Sequence, residues 1–287
     1  MSEIEASTVE SADGTRIAFR SRGAGDGVIV VGGALRSGDD YVAFAEGLAD
    51  SYTVHVVDRR GRGLSGPLGE NYSISRECED LAAVAAATGA ARLFGHSYGG
   101  LVALQAAARG DVFDQVAVYE PAVSVGGSIP TDWLDGYAEL LARGDTRGAF
   151  AHFVRGAGHG GALTRLPTWY VRRILRLAVR GSRWAAMEPL LQANLVEHRE
   201  VARRDGLDSY ATVSARVLLL AGSRSPRRQT RALQQLERRL PQASLEIMRG
   251  LDHLAPDEKA PHQVAARVAT EFAAERVADA DAAASGS

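Results

Sequence analysis

The stretch Gly95-His96-Ser97-Tyr98-Gly99-Gly100 holds the residues best suited to chemistry. A serine hydroxyl is a weak nucleophile at neutral pH, and it acts only when it is exposed and a base takes its proton. Gly-x-Ser-x-Gly meets the first condition when it joins a strand to a helix. Here Ala91–Phe94 reads as a strand and Leu101–Ala108 as a helix. Glycines at 95 and 99 allow a turn in which a Cβ would collide with neighbouring backbone. Ser97 then projects from the sheet at a helix N-terminus, whose free N–H groups favour developing negative charge. The motif also occurs as an ordinary glycine-rich turn; the flanking strand and helix favour a nucleophile turn.

Seven histidines are candidates for the base: His55, His96, His152, His159, His198, His253 and His262. His55 falls inside an expected strand, where packing explains it. His96 precedes the serine, and its side chain is expected to point away from the Ser97 hydroxyl. His253 lies in Gly250-Leu251-Asp252-His253, after the last expected strand. That matches the chain order serine, acid, histidine of strand–turn–helix nucleophiles, and His253 is the expected base.

These residues need a scaffold, and the chain alternates strand and helix. Short apolar runs at Arg16–Arg20, Gly27–Val31, Tyr52–Val57, Ala91–Phe94, Gln115–Tyr119, Arg216–Leu220 and Ser244–Met248 read as strands. Continuous runs such as Val217–Leu220 suit strands buried on both faces of a parallel sheet. Helical stretches are Tyr41–Ala49, Ser75–Thr88, Tyr98–Arg109, Thr230–Leu240 and His262–Ala274. The fold class is α/β, a doubly wound and mostly parallel sheet. The turn Asp13-Gly14 predicts an antiparallel hairpin at its leading edge. The alternation breaks after Glu120. Trp133–Ala142, Thr146–Val154, Trp169–Val179 and Trp184–Glu197 read as helices, and strands resume at Arg216. The expected organisation is a core of residues 1–122 and 207–277, a helical cap at 123–206 and a disordered tail at 278–287.

Composition narrows the class. Apolar residues are 46% and charged residues 24% of 287, as in ordinary globular proteins. A net charge of −2 argues against nucleic acid as a partner. One cysteine, Cys78, permits no internal disulfide and no cysteine-rich zinc module. No apolar run approaches the ~20 residues of a membrane helix. Met1–Gly14 lacks a signal-peptide pattern, so the expected location is the cytoplasm.

The nucleophile turn, with three further motifs, resembles the α/β-hydrolase fold family over about Thr8 to Val277. Val30-Val31-Gly32-Gly33-Ala34 is similar to the family's His-Gly-X turn after the third strand. Asp58-Arg59-Arg60-Gly61-Arg62-Gly63-Leu64-Ser65 is similar to its D-x-R-G-x-G-x-S turn after the fourth. Gly250–His253 is similar to its late histidine loop. The resemblance implies an oxyanion hole built from the backbone N–H groups of Tyr98 and Ala34, with Leu35 the neighbour that could replace Ala34. It also exposes a departure. The family's usual acid follows the seventh strand, where this chain has Ser225. Some relatives place the acid after the sixth, where this chain has Glu120. A carboxylate there lies at the C-terminal sheet edge, where open α/β sheets bind ligands, and could orient His253. A structural role for Glu120, with Asp252 or Asp257 as the acid, is the alternative.

Other features carry less chemistry. Arg59–Ser65 reads as a structural turn tied by Asp58 and Ser65, not as a phosphate loop, because the Lys-Ser/Thr ending is missing. The segment 123–205 has 12 arginines and 8 acidic residues. Arg172, Arg173, Arg176 and Arg180 at helical spacing read as a solvated face, ahead of an anion-binding one. Trp133, Trp169 and Trp184 all fall in the cap, where one or two could line a pocket and core packing explains them equally well.

The resemblance thus implies a serine hydrolase acting on an ester, lactone or related acyl bond of a small organic substrate, without metal or cofactor. Serine at position 97 argues against the dehalogenase and epoxide hydrolase chemistries, which need aspartate there. The alternatives are lyase, isomerase, cyclase or cofactor-free oxygenase chemistry on the same scaffold, or a ligand-binding pseudoenzyme.

Overall fold

A computed structural model describes residues 5–158, 163 and 165–285. Its strands are β1 (Glu5–Glu10), β2 (Arg16–Arg22), β3 (Gly27–Val31), β4 (Thr53–Asp58), β5 (Arg92–His96), β6 (Gln115–Tyr119), β7 (Arg216–Gly222) and β8 (Ala243–Met248). They form one sheet in the order β1-β2-β4-β3-β5-β6-β7-β8. β2 runs antiparallel to both β1 and β4, and the remaining pairs are parallel. Helices α1 (Val42–Leu48), α2 (Ile74–Thr88) and α3 (Tyr98–Ala107) follow β3, β4 and β5. Between β6 and β7 lie α4 (Leu134–Ala142), α5 (Thr146–Gly156), α6 (Thr168–Ala178), α7 (Ser182–Met187) and α8 (Leu191–Ala202). α9 (Arg227–Arg239) and α10 (Pro261–Ser285) complete the chain.

The near-continuous apolar character of the central strands has a direct cause: helices cover both faces. Successive side chains point to opposite faces. Ile29, Val31, Val116, Val118 and Leu219 pack with α2, α3 and α9 in one core. Val28, Val30, Tyr119, Leu218 and Leu220 pack with α1 and α10 in the other. The parallel register brings the C-terminal ends of β5, β6 and β7 side by side, with His96 opposite Tyr119 and Tyr119 opposite Leu220. Ser97 and Glu120 each follow one of those ends.

Helices α4, α5, α7 and α8 share a third core, which Leu35 joins from the turn after β3. Trp133 and Trp184 are buried in it, whereas Trp169 is 69% exposed. The Trp133 indole N–H donates to the Pro130 carbonyl, and its ring meets Tyr137, Phe153 and His198 edge-on. Trp133→Ala is therefore expected to cost about 3–5 kcal/mol of stability. Trp169→Ala is expected to stay within about 0.5 kcal/mol of wild type. Urea denaturation midpoints measure both.

The structure differs from the sequence expectation in three places. The stretch 184–197 is broken by a 3₁₀ turn, Glu188–Leu190, because Pro189 has no N–H to continue the helix ladder. α9 starts at Arg227, directly after Pro226, earlier than the apolar spacing indicates. Residues 278–285, expected as a disordered tail, continue α10, in keeping with the high helix propensity of their alanines. Residues 286 and 287 lie outside the described residues. No helix among the described residues is long and apolar enough to cross a membrane.

Candidate active site

Ser97 joins β5 to α3 with φ 54° and ψ −119°, a strained conformation for a residue with a side chain. The turn is tight. A Cβ on Gly95 would lie 2.6 Å from the Gly99 carbonyl, and one on Gly99 would lie 2.4 Å from that of Val31. The Ser97 N–H donates to the Tyr119 carbonyl (3.0 Å), and its own carbonyl accepts from the N–H groups of Ala122 (2.9 Å) and Leu101 (3.1 Å). The backbone of the turn is thus bonded on one side to the end of β6 and on the other to α3.

Glu120, the residue after β6, also has positive φ (44°) and is fully buried. Its Oε1 accepts from the Gly222 N–H at 2.8 Å, which fixes the carboxylate against β7. Its Oε2 lies 2.8 Å from His253 Nδ1. On the far side of the ring, His253 Nε2 lies 3.1 Å from Ser97 Oγ. With Nδ1–H donating to the carboxylate, Nε2 is the acceptor that faces the serine hydroxyl. Acid, histidine and serine therefore form one continuous hydrogen-bonded chain across three loops.

The alternative acids are engaged elsewhere. Asp252 pairs with Lys259 and caps the Leu254 N–H, and Asp257 pairs with Arg36. The Ser225 hydroxyl, at the family's usual acid position, is buried without a partner among the described residues. Of the other histidines, His55 bonds to Ser21, His152 to the Trp133 carbonyl and His198 to the Asn194 carbonyl. His159 lies outside the described residues.

His96 has a structural role that its position beside Ser97 did not reveal. Its Nε2 lies 2.9 Å from the His253 carbonyl, which can only accept, so Nε2 carries the proton. Nδ1 then accepts from the Tyr41 hydroxyl at 2.7 Å, and that oxygen in turn accepts from the Gly33 N–H at 2.9 Å. Burial holds the Tyr41 hydroxyl protonated, well above the usual tyrosine range. This buried relay joins the turn after β3 to the backbone of the histidine loop. It also explains glycine at position 32, since a Cβ there would lie 2.6 Å from the Tyr41 ring.

The same turn is gripped from below. Arg59 donates to the carbonyls of Gly32 and Gly33, and Arg62 to those of Gly33 and Arg36. Both guanidinium groups are buried, and both pair with the Glu197 carboxylate on α8. Arg59 also forks onto Glu77 of α2 and lies over the Tyr98 ring, 4.6 Å from its centroid. These arginines are committed to carboxylates, in keeping with a structural turn. With the carbonyls of the turn so held, the Ala34 N–H meets no protein acceptor among the described residues, and neither does that of Tyr98. Leu35 is strained (φ 58°), with its side chain in the third core.

Two cavities meet at Ser97. The larger, of about 260 Å³, is bounded by Ala34, Leu35, Phe150, Phe153, Val179 and Met187. The smaller, of about 50 Å³, is bounded by Pro121, Val123, Ile129, Val201 and Leu233, with Arg228 and Gln229 beside them. Ser97, Ala157, His198 and His253 border both. None of the three tryptophans lines either cavity: two are core and one is surface. Arg172, Arg173, Arg176 and Arg180 are exposed and line neither. Among the described residues no cluster of three or more His, Cys, Asp or Glu side chains could hold a metal ion.

A mostly parallel eight-stranded sheet with a strained serine after β5 defines the α/β-hydrolase class of fold. The model of the alpha/beta hydrolase family matches residues 28–267, and the chain belongs to that family. It is similar to an alpha/beta hydrolase from Sphaerobacter thermophilus DSM 20745, with 34% identity over 90% of this chain and 98% of that one, at a TM-score of 0.76. It is similar to the bottromycin epimerase BotH, with 25% identity over 93% of this chain and 98% of that one, at a TM-score of 0.69. The esterase RhEst1 from Rhodococcus sp. ECU1013 shares the fold at 22% identity, covering 93% of this chain and 98% of that one, with a TM-score of 0.66.

Proposed function

We propose that this chain is a serine hydrolase that cleaves an ester, lactone or related acyl bond of a small organic substrate through an acyl-enzyme. The observation that carries this reading is the chain from Glu120 through His253 to Ser97, with both links within hydrogen-bond reach. Ser97 Oγ attacks the carbonyl while His253 Nε2 takes its proton. Glu120 keeps the imidazole in the accepting tautomer and stabilises its charged form. The Tyr98 and Ala34 N–H groups receive the oxyanion. Collapse expels the alcohol with the proton from His253, and water then repeats the sequence on the acyl-serine. The helices at 123–206 act as a cap that walls the two cavities, whose size suits a small molecule.

The likeness to an epimerase favours one second reading, non-hydrolytic chemistry on the same scaffold. Labelling with a fluorophosphonate probe tests the proposal. An activated Ser97 becomes phosphonylated in wild type and not in Ser97→Ala or His253→Ala. A Ser97 that stays unlabelled in folded wild-type protein overturns the hydrolase reading and favours a binding module.

A further inference from the structure

The wall that α5 and α7 give the larger cavity is mostly apolar, and His198 on α8 is the polar side chain that borders both cavities beside Ser97 and His253. The residues α5 offers the larger cavity are Phe150, Phe153 and Val154, and Met187 follows from α7. Arg183 also reaches that cavity, but it is tied to Glu258. His198 borders both cavities, as do Ser97 and His253, so it faces the junction where a reacting carbonyl must lie.

The protonation of His198 follows from its contacts. Nδ1 lies 2.9 Å from the Asn194 carbonyl one helical turn back, and a carbonyl only accepts, so Nδ1 carries a proton. Burial holds the imidazole below the usual histidine range, so the ring is neutral at pH 7. Nε2 is therefore an acceptor, and no donor among the described residues meets it. Trp133 and Phe153 approach the ring edge-on at 5.0 and 5.3 Å and hold its orientation. A fixed acceptor in an apolar wall is costly to leave unmade, and it discriminates strongly between substrates that supply a donor and those that do not.

We propose that the substrate carries a hydroxyl or N–H donor two to four bonds from its reacting carbonyl carbon, on the acyl or the alcohol side, and that His198 Nε2 receives it while the apolar body fills the larger cavity. This rests on the hydrolase reading and adds a substrate class to it. His198 takes no part in the proton transfers of Ser97 and His253; it is a specificity residue.

Two matched ester pairs test this, one on each side of the scissile bond. They are methyl mandelate against methyl phenylacetate, and 2-hydroxyethyl phenylacetate against propyl phenylacetate. Wild type is expected to favour the hydroxylated member of at least one pair by about tenfold or more in kcat/KM, on the scale of one hydrogen bond. His198→Phe keeps an aromatic ring in place and is expected to erase that ratio by lowering kcat/KM for the hydroxylated ester about tenfold more than for the plain one. His198→Gln retains an acceptor and is expected to keep part of the preference; His198→Leu serves as the acceptor-free variant if phenylalanine does not fit. A ratio that survives both apolar replacements, or equal losses on both members, overturns the proposal. So does a wild-type enzyme that hydrolyses none of the four esters. In that case phosphonate labelling of Ser97 separates the two failures: labelled protein leaves the hydrolase reading standing, and unlabelled protein removes both.

Discussion

Ser97→Ala is expected to lower kcat for ester hydrolysis by at least about 10⁴-fold and to leave the fold intact. In a serine protease, removing the nucleophile alone costs about 10⁶, because the rest of the machinery has nothing to activate. The same logic applies here, since His253 Nε2 has its hydrogen-bonded partner in Ser97 Oγ. The fold should survive because the Ser97 backbone, not its hydroxyl, makes the bonds to Tyr119, Leu101 and Ala122. Steady-state kinetics on an activated ester, with circular dichroism on both proteins, provides the measurement. A variant that retains more than a hundredth of wild-type kcat would show that another group performs the attack.

Glu120→Gln is expected to cost roughly 10²–10⁴ in kcat, the range set by the equivalent acid-to-amide change in a serine protease. The local geometry says why. Oε1 is already held by the Gly222 N–H, so a glutamine at 120 keeps its carbonyl oxygen there. Its NH₂ then faces His253 Nδ1. The imidazole must accept at Nδ1 and carry its proton on Nε2, where it can no longer take one from Ser97. Asp252→Asn is expected to cost less than about tenfold, because Asp252 bonds to Lys259 and Leu254 rather than to the ring. Kinetics on both variants decides the matter. A near-normal Glu120→Gln beside a crippled Asp252→Asn would move the acid to the histidine loop.

The elements that present these groups were legible because they rest on local rules. Near-continuous apolar runs in β3 and β7, and glycines that admit no Cβ at 95 and 99, are written in short windows of sequence. The placement of Glu120 beside His253 could be anticipated for a different reason: the residue at 225 cannot hold a charge, and a carboxylate follows β6. Relationships across long sequence separation were not legible. Nothing in the sequence links Tyr41 to His96, or Glu197 to Arg59, 138 residues away. The tryptophans at 133, 169 and 184 left two roles open in the sequence because indoles suit a core as well as a pocket, and only packing distinguishes the two. The break at Pro189 was present in the sequence but masked by helical apolar spacing on both sides.

The carboxylate of Glu197 bears on how such proteins can be recombined. Arg59 and Arg62 belong to the sheet's β4 turn and Glu197 to α8, so one buried charge cluster spans the seam between them. Grafting the helices of a relative onto this sheet without an acid at that position would leave the Arg62 guanidinium in the interior with no carboxylate, and Arg59 with Glu77 alone. Breaking a buried pair in this way costs about 3–5 kcal/mol. The loss would fall on the turn that presents the Ala34 amide, because the same guanidinium groups hold its carbonyls. A chimera designed for new specificity must therefore inherit its acid along with its pocket, or lose the old catalyst in acquiring the new lining.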